Sequence, residues 1–167
     1  MTAQASERLL YQGEMRSMCA EPLGMYFALS GVKPDFQFTC TALWRGYIGS
    51  WEIIDDRLYL VELSGRLMGG TDANLETLFP GYPDRVFAHW YSGKVRIPQG
   101  KLLECVHMGY GSVYENDLFL FFDKGVVTKS EVAVNGESPN PDALEGYGIG
   151  AMTLLPVRRK DPDGGDA

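Results

Sequence analysis

Hydrophobic and polar positions alternate with a period of two along much of this chain, the spacing of half-buried strands. Residues 11–19 set Tyr11, Gly13, Met15, Ser17 and Cys19 on one parity against Gln12, Glu14 and Arg16 on the other, which predicts a first strand. Residues 36–63 hold two aromatic and β-branched runs, TALWRGYIGSWEII and LYLVEL, joined at Asp55, Asp56 and Arg57, and so predict a hairpin. Gly46 and Gly49 inside the first run would weaken a plain strand, so they predict a bulge, a bend or the close approach of another backbone. A second hairpin is expected from residues 85–91 and 94–97 across Ser92 and Gly93. A third is expected over residues 118–134, where LFLFF is too apolar to face water on either side and DKG supplies the turn. LFLFF is therefore expected to be a central strand.

Helical signals are sparse. Asp72 is placed to cap a short helix in which Leu75, Leu78 and Phe79 stand at i, i+3 and i+4, stopped by Pro80 and Gly81. Residues 21–30 and 102–114 are apolar but fit helix or strand equally well. An apolar island at 149–155 predicts one edge strand. Successive hairpins with one short helix predict a mainly β, antiparallel meander forming a curved sheet, barrel or sandwich. The expected organisation is one β-rich domain over residues 1–155 and a disordered tail over 156–167.

The 167 residues suffice for one core without disulfides or metals. Fifteen Lys and Arg against 22 Asp and Glu give a net charge of −7, with no basic cluster beyond Arg158, Arg159 and Lys160. That balance argues against nucleic acid and leaves solubility or the steering of a basic partner. No apolar run reaches the roughly 20 residues needed to cross a bilayer. The chain starts without the apolar stretch of a signal peptide, and its three cysteines, Cys19, Cys40 and Cys105, lack CxxC spacing. A reducing cytoplasm is the expected compartment.

Motifs for named chemistry are missing. Gly146, Gly148 and Ala151 fit the letters of GxGxxA without the strand and helix that a dinucleotide fold requires. The P-loop, the nucleophile elbow and HExxH are absent, so no metal and no cofactor are expected. One catalytic constellation is conceivable. On a strand, Cys105 and His107 point to one face about 6 to 7 Å apart, where thiol and imidazole could meet. Glu115 would orient the imidazole, and Arg96 would stabilise an oxyanion. A broader pattern gathers amphipathic rings and cations: Trp44, Arg45 and Tyr47; His89, Trp90 and Arg96; then His107, Tyr110 and Tyr114. Such residues line pockets or anchor protein interfaces.

Two resemblances add to this. Gly49-Ser50-Trp51 resembles the GxW signature of lipocalin-like barrels, which implies a small-ligand-binding β-barrel. WRGYIGSWEI, FAHWYSGKVRIPQG and VHMGYGSVYE together look like small bacterial proteins that carry no assigned activity; the likeness spans roughly residues 40–120 and implies a bacterial cytosolic origin. The leading expectation is a non-enzymatic protein-binding or accessory protein, immunity-like for example, that meets another protein through an aromatic and basic surface. The alternatives are a small hydrolase or transferase using Cys105 and His107, and a ligand-binding barrel.

Overall fold

A computed structural model describes residues 2–147. The expected edge strand at 149–155 and the tail at 156–167 lie outside them. The chain is mainly β. Among the described residues, nine strands form a single mixed sheet: β1 (Glu7–Tyr11), β2 (Glu14–Met18), β3 (Tyr47–Ile54), β4 (Arg57–Arg66), β5 (Asp72–Ala73), β6 (Val86–Phe87), β7 (Gly93–Glu104), β8 (Val113–Asp123) and β9 (Val126–Val134). The spatial order is β2-β1-β3-β4-β9-β8-β7, with β5 and β6 attached to β4.

Three two-residue turns build the hairpins. Gln12-Gly13, Asp55-Asp56 and Lys124-Gly125 all have positive φ at both positions, the backbone whose twist matches that of the flanking strands. The hairpin of β3 and β4 and that of β8 and β9 stand where the sequence predicts them. LFLFF lies in β8, flanked by β7 and β9, so it is a central strand.

Two expectations need correction. Residues 11–19 are not one strand, because Gln12 and Gly13 turn the chain and Glu14–Met18 folds back on Glu7–Tyr11. The second predicted hairpin does not form: Val86–Phe87 pairs with β4, whereas Gly93–Glu104 runs the length of β8. Local turn chemistry at Ser92 and Gly93 gave way to the longer apolar ladder against LFLFF. The meander is also interrupted where β1 and β3 pair in parallel, Leu9 opposite Trp51.

The sheet curls without closing. Its two halves join at one residue pair, Arg57 and Val126, and its ends meet at one isolated bridge, Cys19 with Arg96. The interior is filled by Leu9, Met18, Trp51, Leu58, Leu60, Val95, Ile97 and Leu120, all essentially inaccessible. Trp51, the ring that suggested a lipocalin-like ligand barrel, is thus core packing.

Helix α1 (Pro22–Ser30), left open by its sequence, opens with Pro at a position where no N–H is needed and ends at Gly31 in the left-handed region. It buries Leu23 and Phe27. Helix α2 (Leu75–Leu78) is the predicted short helix, but Asn74 caps it in place of Asp72, through a reciprocal capping box with Thr77.

Candidate functional site

A cleft lies where residues 2–5 are clamped between the turn Thr41–Leu43 and the loop of residues 105–112. Ala5 N–H donates to the Ala42 carbonyl at 2.7 Å, and Gln4 N–H to the Gly109 carbonyl at 2.8 Å. The Gln4 side chain donates to the Thr41 carbonyl at 2.7 Å and accepts from Trp44 N–H at 3.1 Å. These bonds hold open a cleft of about 670 Å³ lined by Thr2, Gln4, Glu21, Thr41, Trp44, Arg45 and Gly109.

Trp44 stands at its rim with 73% of its surface exposed, edge-on to Phe38, itself 58% exposed, at a centroid separation of 5.4 Å. Successive side chains then diverge. Arg45 turns inward, with only 8% of its side chain exposed, and donates to the Ala5 carbonyl at 2.9 Å. It pairs with Glu21 at 3.3 Å and Glu7 at 3.5 Å. Tyr110 hydroxyl donates to the same Glu21 carboxylate at 2.9 Å.

Beneath the cleft Glu7 is wholly buried and accepts from Gly49 N–H. Gly49 is required there: a Cβ at that position would lie 2.8 Å from Trp51 Nε1 and 3.1 Å from Glu7 Oε2. This is the close approach that the glycine in β3 predicts. Burial pushes the Glu7 carboxyl up to about 8, although Arg45 and the Gly49 N–H pull it down. Glu7 Oε1, Arg45 Nε and Nη2, and Trp51 Nε1 make no hydrogen bond to the described residues. An under-satisfied polar cluster beside a cleft is uncommon in a packed core and characteristic of functional positions.

The remaining candidate residues do not assemble into one surface. Tyr47 is core, packed on Phe27 and Phe36. Trp90 donates to the Pro22 carbonyl at 2.9 Å and stacks on Phe79, locking α1 to α2, with exposed His89 beside it. Tyr114 is buried against Tyr147, which also touches Tyr110. Arg96 donates to Asp117 at 2.8 Å and to the carbonyls of Tyr110 and Ser112 at 2.6 and 2.8 Å. It pins the 105–112 loop through these three bonds.

Cys105 Sγ and His107 Nε2 do meet, at 3.9 Å, both exposed. They sit beyond the end of β7, so a loop and not a strand brings them together. Glu115 does not orient the imidazole. Its oxygens accept from Lys101 N–H at 2.7 Å and Ser138 N–H at 2.9 Å, which hold its carboxyl below the usual range.

The chain matches no family model, no curated protein and no solved structure. Among the described residues no helix is long and apolar enough to cross a membrane, and no group of three His, Cys, Asp or Glu is arranged to hold a metal ion. Glu7, Glu21 and Phe38 are site residues that sequence reasoning missed. One signal was present: Glu7 shares the parity of Leu9 and Tyr11, so a strand there turns a carboxylate inward.

Proposed function

We propose that this chain is a non-enzymatic binding protein that recognises another protein at the face formed by Trp44, Phe38 and the adjoining cleft, as an accessory or immunity-like protein of a bacterial cytoplasm would. The observation that carries this reading is the exposure of Trp44 at the mouth of a preformed polar cleft. A large ring whose backbone is fixed by Gln4 loses little freedom on binding, and Trp is the residue type that most often dominates an interface. The recognition surface is aromatic and acidic, not basic. Its cation, Arg45, is turned inward and balanced by Glu21. With a net charge of −7, the face suits a partner with basic side chains that enter beside Glu21.

A photo-reactive phenylalanine analogue in place of Phe38, which leaves Trp44 intact, should cross-link one discrete partner from extracts of the native host. Wild-type protein should compete for it. Once that partner is identified, Trp44→Ala should bind it about thirtyfold more weakly, the effect of losing a central aromatic anchor. The melting temperature should not change, since the ring is exposed. Equal affinity of Trp44→Ala and wild type would remove this reading.

The contact between Cys105 and His107 supports a second reading, a small hydrolase or transferase with a thiol nucleophile. On that reading iodoacetamide modifies Cys105 before Cys19, whose thiol burial pushes up to about 12, and His107→Ala slows the modification several-fold. A rate independent of His107 would leave the thiol without its base.

A further inference from the structure

Strand β9 is bonded along its whole length to β8, yet its other edge meets β4 only at Val126 opposite Arg57, with Val127 N–H donating to the Asp56 carbonyl. From Thr128 to Val134 no backbone hydrogen bond joins it to any other described segment. Natural edge strands are blunted by charges, prolines, bulges or short length, because a row of free N–H and C=O groups templates pairing with another chain. Here the one bulge lies at the start of the strand, between Phe121 and Phe122 of the opposing ladder.

The exposed surface of this edge is apolar on one side and charged on the other. Ser130 and Val132 stand opposite Leu120 and Leu118, and Leu120 is fully buried, so this row continues the core-facing side of the sheet. Nevertheless Val132 is 62% and Val134 77% exposed, leaving the row uncovered. On the opposite side Lys129 and Glu131 form an exposed ion pair.

We propose that this edge pairs with a second copy of the same chain, β9 against β9 in antiparallel register about Ser130, to give a two-fold dimer with a continuous sheet. The sequence around Ser130 carries the argument. A two-fold axis perpendicular to a sheet must pass through a residue, since otherwise paired side chains would point to opposite faces. With the axis at Ser130, Lys129 of each copy faces Glu131 of the other and Thr128 faces Val132, while Val126 and Val127 stay bonded to β4. Moving the axis by one residue sets Lys129 or Glu131 opposite itself, where like charges repel. The charges thus favour this register over its neighbours, and it pairs residues 128–132, within the stretch that β4 leaves free.

Sedimentation equilibrium and native mass spectrometry of the full chain test this. The wild type should dimerise in a concentration-dependent way. Lys129→Glu and Glu131→Lys, both at exposed positions that leave the far-ultraviolet spectrum unchanged, should each weaken association about tenfold, two attractive cross-strand pairs becoming repulsive. An equimolar mixture of the two variants should recover wild-type affinity as a heterodimer of intermediate mass, because a strand with two Glu then faces a strand with two Lys. A chain that stays monomeric at hundreds of micromolar overturns the proposal and leaves the edge to another protein or segment. A dimer unaffected by either charge reversal, or a mixture that fails to recover, overturns the register and with it the proposal.

Discussion

Replacing Glu7 with Gln is expected to abolish a steep loss of stability between about pH 4.5 and pH 8. The folded carboxyl titrates near 8 and an exposed one at 4.5. Between those values the folded chain keeps a proton that the unfolded chain has released. Stability therefore falls as pH rises through this window and levels off above it, by about 3–5 kcal/mol in all. Burial is the main cause, so a neutral isostere that keeps the bond from Gly49 N–H has nothing to release. The facing groups are Arg45, Glu21, Tyr47 and Tyr110, and Arg45 retains Glu21 in the variant. Denaturant titrations at pH 5 and pH 9 should show wild type and Glu7→Gln nearly equal at the lower value and the variant clearly more stable at the higher. A parallel pH dependence in both proteins would mean that Glu7 is ionised in the fold.

Arg96→Met is the second large effect. The guanidinium ties β7 to Asp117 of β8 and to two carbonyls of the 105–112 loop, and Asp117 is buried with Asn135 as its other side-chain partner. Methionine keeps most of the volume but leaves the carboxylate without its cation. Breaking such a pair from one side costs about 3 kcal/mol, or roughly 10 °C in melting temperature for a domain of this size. The loop should also become cleavable by protease below the melting transition, since its Tyr110 and Ser112 carbonyls lose their donors. Arg96→Lys should recover only part of the loss, because a point charge cannot reach three acceptors at fixed angles. A melting temperature unchanged in Arg96→Met would show that the loop is held by other contacts.

These two residues mark what the sequence could and could not disclose. Period-two patterning located β3, β4, β8 and β9, because each is long, alternates or is continuously apolar, and is bounded by turn residues. The pairing of β7 with β8 was not legible, since Ser92-Gly93 is as good a local turn as Asp55-Asp56 and only the ladder with LFLFF decides between them. Helix α1 was ambiguous because its apolar residues lie all around it. Trp44 and Arg45, singled out from the sequence, both line the cleft. Tyr47, Trp90, Tyr114 and Arg96 belong to the same residue classes and differ only in which way they turn, which depends on contacts far along the chain. Glu7 was not legible because the alternation was read from residue 11 onward, and Glu7 is buried by parallel pairing with the distant β3.

The cleft depends on this internal polar cluster. Glu7 fixes Arg45, Arg45 fixes Ala5 and Glu21, and the bonds from Gln4 and Ala5 hold Trp44 outward. Hydrogen exchange of the free chain and of its cross-linked partner complex, followed by mass spectrometry, addresses the recognition claim most directly. The account predicts new protection confined to residues 2–5, 38–45 and 105–111, with β6 and the residues around Trp90 unchanged. Protection centred on residues 86–91 and α2, with the Trp44 segment exchanging as before, would contradict it.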